Sequence, residues 1–211
     1  MTVNSSNALQ ILLLIGGLSV IPALLFTVTG FTRILIVLGF IRQALGLQNT
    51  PPNQALIGIA LFLTLFVMMP TINAIKKDAY EPLAHHQIST ATAITRAEEP
   101  LREFMFKQTS NEDLSLFIGL AKIKTPQTRA QVPTYVLIPA FILSELKTAF
   151  EIGFLIFLPF LLIDLIVAST LMSMGMVMLP PALISLPFKV LLFVLVDGWA
   201  LVTHSLVVSF H

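Results

Sequence analysis

Eight charged side chains lie inside the long apolar stretches of this 211-residue chain, and they are the first candidates for chemistry. An ionisable residue in a membrane-depth helix is costly and is usually paired or functional. The set has four basic and four acidic members: Arg33, Arg42, Glu145, Lys147, Glu151, Asp164, Lys189 and Asp197. Only Lys147 and Glu151 have the spacing that brings two side chains together on one helix face. The other six therefore need partners on other helices, in water or on other subunits.

Asp164 and Glu145 have two possible roles. In an ion-coupled transporter they would be the coupling carboxylates, whereas in an assembly subunit they would be contacts that fix the register between subunits. Snorkelling near a helix end explains Arg42 and Lys189 better than Asp164, which lies inside the apolar run 160–167. For Asp164 we favour interhelical hydrogen bonding over proton coupling. A transporter with paired broken helices also predicts an internal repeat, and none is visible between the two halves.

A cluster of methionines is the second unusual feature, because four of the chain's eight fall within seven residues. They alternate with other residues: Met172, Met174, Met176 and Met178. Residues two apart scatter over two faces of a helix, but they line one surface of an extended or looped segment. Gly175 permits such a loop, and Pro180 and Pro181 disfavour a helical exit from it. The alternative is a helix that happens to be rich in methionine.

Enzymatic chemistry has little support in the sequence. The absence of cysteine excludes disulfides, thiol catalysis and cysteine-ligated metal. His85 and His86 lack the spacing and acidic neighbour of a helical metal site, and no phosphate-binding glycine loop or nucleophile motif is present. A net charge of +1 offers no electrostatic case for nucleic acid. We therefore expect no enzyme, no metal, no cofactor and no nucleic-acid partner.

The composition indicates the class of protein and the division of the chain into three segments. The chain is 56% hydrophobic and 11% charged, against about 45–50% and about 25% in soluble domains. This is typical of a membrane-associated protein, or of one that partners bury on nearly all sides. We divide it into N-terminal apolar helices (1–75), a polar helical segment (76–133) and C-terminal helical hairpins with the methionine segment (134–211). The polar segment holds 15 of the 23 charges.

Apolar runs and breakers predict individual elements in the N-terminal half. We expect spanning-length helices at 8–28 and 55–75 and an apolar helix at 31–47. In the polar segment, Thr90–Gln108 has helix-forming composition, with Pro100 as a kink or break. A further helix should start at Ser110, which acts as the N-cap while Asp113 reaches back toward it.

The C-terminal region predicts bent or paired helices. Residues 135–171 are too long for one simple crossing, so we expect two packed helices or a bent hairpin with Pro139 and Pro159 at the bends. Residues 182–208 should form one last apolar helix, with Pro187 marking the start of its regular part. Strand signals are weak throughout.

Two long motifs closely resemble signatures of the FliP/SctR family. The first is the run 139–154, PAFILSELKTAFEIGF, and the second is Pro187-Phe188-Lys189-Val190 followed by Asp197-Gly198-Trp199. The methionine segment with its proline pair also matches, as does the run from Phe31 to the prolines at 51 and 52. Members of this family are core subunits of the type III secretion export gate, in flagella and in injectisomes. The form Leu186-Pro187-Phe188-Lys189 looks more like the flagellar branch.

The resemblance implies an all-α, membrane-associated subunit whose helical hairpins assemble into a helical, cone-like hetero-oligomer. Expected partners are FliQ and FliR, other copies of the chain, about five in all, and FlhB and FlhA nearby. The hairpins would be raised largely out of the bilayer plane by mutual packing, although membrane lipid would still contact the subunit. The expected location is the bacterial inner membrane within the flagellar basal body, largely on the periplasmic side. The implied cargo is unfolded flagellar protein.

The resemblance also assigns roles to residues. The family's methionine loop forms a gasket that closes the channel, and by motif this corresponds to Met174, Met176 and Met178 with Gly175 between them. Met172 would lie just above or behind the gasket. Val177 departs from the methionine that often stands there, so the ring would have one thioether fewer per subunit.

The charged residues complete the expectations. We predict that Glu145 pairs with Lys189 across subunits, because neither has a good local partner in the sequence. Five further charges are expected to be buried polar groups of the assembly: Arg33, Lys147, Glu151, Asp164 and Asp197. The alternatives to a flagellar pore subunit are an injectisome subunit, an ion-coupled transporter and a passive structural subunit whose channel is formed by others.

Overall fold

The described part of the chain is built from helices. A computed structural model describes residues 25–210 together with Gly16 and Pro22, and it contains no strand within these residues. The helices are α1 (Phe31–Ala44), α2 (Asn53–Ala84), α3 (Thr90–Gln108), α4 (Asn111–Leu120), α5 (Thr134–Ser173), α6 (Pro181–Leu195) and α7 (Gly198–Val208). Residues 25–28 are also helical. Most of the span predicted at 8–28 lies outside the described residues.

Two of these helices, α2 and α5, are long and apolar enough to cross a membrane. The pair α6 and α7 is bent by 65° and would add a third crossing if the pair counts as one span. Helix α2 continues past the boundary that the sequence suggested at residue 75. It passes through a π-helical turn at Lys76–Tyr80 and ends at Ala84. The polar segment therefore begins on the same helix that carries the apolar span.

The helices predicted in the polar segment are confirmed. Helix α3 covers Thr90–Gln108 as expected, and Pro100 lies inside it without ending it. Helix α4 starts after Ser110, whose hydroxyl accepts a hydrogen bond from the Asp113 N–H at 3.1 Å. The reciprocal part of the predicted cap differs, because the Asp113 carboxylate accepts from the Ser110 hydroxyl at 2.8 Å. The Ser110 N–H donates instead to the Ser144 hydroxyl of α5.

Helix α5 corrects the prediction of two packed helices. Thr134–Ser173 is one continuous helix of 40 residues that contains both Pro139 and Pro159. Each proline removes one backbone hydrogen bond, at a cost of about 3 kcal/mol in an isolated helix. In apolar surroundings neighbouring helices offset such losses, and α5 packs on α1, α3, α4 and α6.

The last apolar segment corrects a second prediction, because 182–208 is two helices and not one. The break lies between α6 and α7, where Asp197 takes a left-handed conformation with φ 49°. A Cβ atom on Gly198 would collide with the Phe193 ring, and Trp199 packs edge-on against the same ring at 5.3 Å. Pro187 lies inside α6, which begins at Pro181.

The core is built around α1, which packs mainly on α5 and α2. Its buried apolar residues follow helical spacing: Phe31, Ile34, Val37, Leu38 and Ile41. Close approach between α1 and α5 depends on Gly153, because a Cβ atom there would overlap the Phe40 ring. This packing buries one charged side chain from each helix, Arg33 of α1 and Glu145 of α5.

We predict that Gly153→Ala destabilises the protein by about 1–3 kcal/mol, because the added methyl group overpacks the α1–α5 contact. Gly58→Ala is the matched control, since it lies inside α2 and a Cβ atom there meets nothing within 4 Å. The control should be neutral or slightly stabilising. Thermal unfolding in detergent measures both, and equal unfolding temperatures for the two variants would contradict the assigned contact.

Candidate functional site

The most deeply buried polar contact joins α1 to α5. Arg33 and Glu145 are 2% and 1% exposed, and they form a two-pronged ion pair. The Arg33 Nε donates to Glu145 Oε2 at 3.0 Å, while Nη2 donates to Oε1. Such a fork-to-fork contact fixes orientation as well as charge. The pair therefore sets the register of α1 against α5.

Arg33 also contacts α3 and the residues after α7. Its Nη2 donates to Gln108 Oε1 at 3.0 Å, and its Nη1 donates to the Ser209 carbonyl oxygen at 2.8 Å and to the Ser209 hydroxyl at 3.2 Å. The Gln108 amide donates to the Phe210 carbonyl at 2.9 Å, and the Phe210 ring lies 3.9 Å from the guanidinium carbon. All five N–H groups of the guanidinium thus have acceptors.

These contacts correct the basis of the predicted Glu145–Lys189 pair. That prediction rested on the absence of a good local partner in the sequence for either residue. The structure gives both a partner, since Glu145 binds Arg33 and Lys189 binds Asp164. Spacing along the sequence could not reveal these contacts within the chain, because partners 112 and 25 positions apart share no local pattern.

The second ion pair closes the hairpin formed by α5 and α6. The Lys189 Nζ lies 2.6 Å from Asp164 Oδ2, and the Ser185 hydroxyl donates to Asp164 Oδ1 at 2.5 Å. Lys189 and Ser185 are buried, while Asp164 is partly exposed. Both carboxylate oxygens are thus occupied by α6 donors. The expected interhelical hydrogen bonding of Asp164 is present within the described chain.

A third cluster, centred on Asp113, was not predicted as a site. The Lys147 Nζ lies 2.5 Å from Asp113 Oδ1, and the Ser144 hydroxyl donates to Oδ2 at 2.7 Å. Burial raises the pKa of Asp113, but hydrogen bonds from Lys147, Ser144 and Ser110 outweigh it, so the pKa is lowered. Lys147 therefore binds α4 rather than Glu151. The Ser110 capping signal was the only sequence hint of this cluster.

The remaining charges are more exposed. Arg42 Nη1 donates to Asn53 Oδ1 at 2.6 Å and so bridges the turn between α1 and α2. Glu151 and Asp197 are exposed, and neither belongs to an ion pair found among residues 25–210. The same residues contain no cluster of three or more metal-binding side chains.

The methionine segment forms the loop between α5 and α6, as predicted. Helix α5 ends in a Schellman motif, in which the Gly175 N–H donates to the Met172 carbonyl at 3.0 Å and the Met176 N–H to the Leu171 carbonyl at 2.9 Å. Gly175 has φ +73°, a conformation that side chains other than glycine rarely adopt. Met172 belongs to the last turn of the helix. The alternative of a methionine-rich helix is wrong for residues 174–178.

The loop presents its apolar side chains outward. Met174, Met176 and Val177 are exposed, and Met178 is 99% exposed. Soluble monomers rarely expose a contiguous apolar surface of this kind, and such surfaces commonly contact other proteins or lipid. The tip of the hairpin is therefore a candidate contact surface. The base of the loop is fixed by the backbone bonds of Gly175 and Met176, while the exposed methionine side chains are of an unbranched, flexible type.

Comparison with known proteins identifies relatives over nearly the whole chain. A family model described as the FliP family matches residues 14–206. The chain is 56% identical to the flagellar biosynthetic protein FliP of Bacillus subtilis over 98% of its own length and 94% of that protein. It is 55% identical to the FliP protein of Pectobacterium carotovorum over 97% of the chain and 79% of that protein. The FliP protein of Treponema pallidum is 53% identical over 96% of the chain.

We predict that Arg33→Met destabilises the fold by about 3–5 kcal/mol, because it leaves Glu145 buried without its counter-charge. The double variant Arg33→Met with Glu145→Leu should unfold at a higher temperature than Arg33→Met alone. Arg42→Met is the matched control, since that arginine is on the same helix but only half-buried, and it should cost less than about 1 kcal/mol. Additive losses in the double variant would contradict the pairing.

We predict that Asp164→Asn lowers stability by about 1–3 kcal/mol, because Lys189 stays buried with no counter-charge. Adding Lys189→Met should recover part of that loss and restore motility in cells. A double variant that assembles normally but cannot export would instead indicate that the carboxylate is needed for proton coupling. Unfolding temperature, complex assembly and swimming in soft agar separate these outcomes.

Proposed function

The chain belongs to the FliP family, and we propose that it is a flagellar biosynthetic protein of the export apparatus and, within it, the pore-forming core subunit of the flagellar type III protein export gate. In this role it passes unfolded flagellar proteins and performs no catalysis. The methionine loop, residues 174–178, acts as the gasket that closes the channel between export events.

The observation that carries this proposal is the outward-facing methionine loop on a fixed hairpin. Met174, Met176 and Met178 are exposed at a tip whose base is held by the Schellman motif at Gly175. Unbranched thioethers adapt to irregular shapes, and an apolar constriction blocks ions by excluding water. A ring of such tips would close when empty and would mould around a passing chain.

The Asp164 contacts support the same role, because they fix the hairpin that carries the loop. Asp164 lies on α5 nine residues before Ser173, Ser185 lies in the first half of α6, and Lys189 lies just past its middle. The carboxylate binds both of these side chains at 2.5–2.6 Å. We infer that Asp164 positions the gasket and that it is not a proton-coupling group. The loop can then deform while its two helices stay together.

The outer surface of the subunit fits an assembly with other membrane proteins. Helix α5 exposes apolar side chains along most of its length, among them Phe154, Leu158, Leu162 and Leu165. This surface is larger than an isolated chain in water tolerates. We propose that it packs on further copies of the chain and on FliQ and FliR, with FlhB and FlhA nearby. The assembly would lie in the bacterial inner membrane within the flagellar basal body, largely on its periplasmic side.

Other functions have less support. The injectisome role is disfavoured by the flagellar names of the relatives described above. An ion-coupled transporter would be expected to have paired broken helices, and the described residues contain one bent pair, α6 and α7. A passive structural role differs from the gasket role in its response to substitutions in the methionine loop.

Replacing Met174, Met176 and Met178 with alanine should let ions leak through the resting complex, because the short side chains no longer seal the constriction. Bilayer conductance of the purified complex measures the leak. Met69→Ala is the control, since this methionine is also exposed but lies on α2. The converse change, Val177→Met, should reduce any residual conductance. An unchanged conductance in a correctly assembled alanine variant would favour the passive role.

A further inference from the structure

The bend between α6 and α7 contains an acidic residue in a strained backbone conformation. Asp197 has φ 49° and ψ 56°, in the left-handed region that residues with a side chain rarely adopt. An aspartate often tolerates this region because its carboxylate hydrogen-bonds to nearby backbone, but Asp197 makes no side-chain capping bond at the start of α7. Local strain that the surrounding fold does not use points to a functional role.

The Asp197 carboxylate has no partner elsewhere among residues 25–210. It takes part in no ion pair or side-chain hydrogen bond of these residues, and it is exposed. The side chains beside it in the chain are apolar and exposed as well, since Val194, Leu195 and Trp199 are 68%, 74% and 40% exposed. Asp197 is therefore a single negative charge within an apolar surface.

An apolar groove of about 290 Å³ lies next to this carboxylate, where α5, α6 and α7 meet. Both chain neighbours of Asp197, Val196 and Gly198, belong to the lining, so the exposed carboxylate lies at the rim. Apart from Ser205 the lining is apolar, and it includes Ile156, Phe160, Leu192 and Leu201. The bend fixes the rim, because Gly198 lies directly against the Phe193 ring. An apolar groove with one charged group at its edge has the composition of a recognition site.

The chemistry of this surface defines what can cover it. Removing the apolar side chains from water is favourable, but a carboxylate enclosed in an interface without a counter-charge is strongly destabilising. The occupant must therefore bring apolar side chains to the groove and a lysine or arginine to Asp197. Lipid does not meet this requirement, because hydrocarbon offers no counter-charge and anionic headgroups repel a carboxylate.

A second copy of the chain does not supply that cation. The four basic side chains of the apolar segments have acceptors within their own chain: Arg33, Arg42, Lys147 and Lys189. The other eight lie in the polar segment, residues 76–133. Gln108 of that segment contacts Phe210, and the 11 residues of α7 separate this contact from Asp197 by about 16 Å. Copies that meet at their methionine loops, as proposed above, thus keep their polar segments away from Asp197.

We propose that the groove and Asp197 together bind an apolar helix of a different subunit of the export gate, and that a lysine or arginine of this helix pairs with the Asp197 carboxylate. The groove takes the apolar side chains of the helix, and the charge pair fixes its position along α7. This contact rests on the proposed assembly with other membrane proteins, but it does not depend on the methionine loop.

Neutralising the carboxylate tests the charge pair, and asparagine is a suitable replacement because it also adopts the left-handed conformation. In the intact complex, purified through a tag on this chain, Asp197→Asn should lower the amount of at least one different subunit several-fold. Glu99→Gln, which removes an exposed carboxylate from α3, should lower none. Equal retention in both variants would overturn the proposal. A clearly lower unfolding temperature of the Asp197→Asn chain would also overturn it, because the carboxylate would then serve the fold.

Asp197→Gly separates the charge from the backbone strain, since glycine adopts the left-handed conformation without a steric cost. This variant should lose the same subunit to the same extent as Asp197→Asn. Full retention in Asp197→Gly would overturn the proposal, because the bend alone would then be sufficient for the contact.

Photo-crosslinking identifies what covers the groove. Leu201→benzoylphenylalanine places a crosslinker in the lining, at a residue that is 54% exposed. Irradiation of the complex in membranes should give an adduct with a different subunit, and adding Asp197→Asn should lower its yield several-fold. An adduct with a second copy of the chain, or with lipid alone, would overturn the proposal. The alanine variants of the methionine loop report on the gasket through conductance, so failure there is distinct from failure here.

Discussion

The fold depends on the buried Arg33 guanidinium. Moving an isolated charge of this size out of water is prohibitively costly unless it is paired and fully hydrogen-bonded. Arg33 meets that condition through Glu145 of α5, Gln108 of α3 and Ser209 beyond α7. Because these groups come from distant parts of the sequence, four segments must be in place together. Within the described part of the chain no buried polar side-chain atom lacks a hydrogen-bond partner.

The polar clusters are distributed along α5 in a way that separates rigid from deformable regions. Ser144, Glu145 and Lys147 tie its first half to α1 and α4, and Asp164 ties its second half to α6. No further ion pair within the described residues lies beyond Asp164 toward the loop. The hairpin is thus held by charge up to about two turns from its end, and the methionines at its tip are exposed and flexible. A stiff support with an adaptable tip agrees with the proposed seal around variable cargo.

Local signals in the sequence predicted the elements whose causes are local. Helix α3 covers the predicted residues, Ser110 caps α4 at the expected position, and Gly175 ends α5 before a methionine loop. Two predicted helix boundaries were wrong, one at the prolines of α5 and one at the bend between α6 and α7. Pro159 was expected to interrupt α5, but the helix continues through it, and the adjacent Phe160 packs on Phe193 of α6. The break at Asp197 was missed because it depends on Gly198 meeting the Phe193 ring.

Sequence patterns were enough to predict that the protein is helical and apolar, that charges lie within its apolar segments, and that a loop of methionines separates two of these segments. These properties follow from the overall composition and from spacing and capping patterns that involve only a few neighbouring residues. The pairing of the charges, in contrast, follows from the way the helices pack. Glu145 meets Arg33 and Lys189 meets Asp164 because helix packing brings those side chains within hydrogen-bond distance. Attraction between opposite charges depends on the distance between them in space and not on their positions in the sequence. The signs of the charges alone therefore could not identify the partner of each residue.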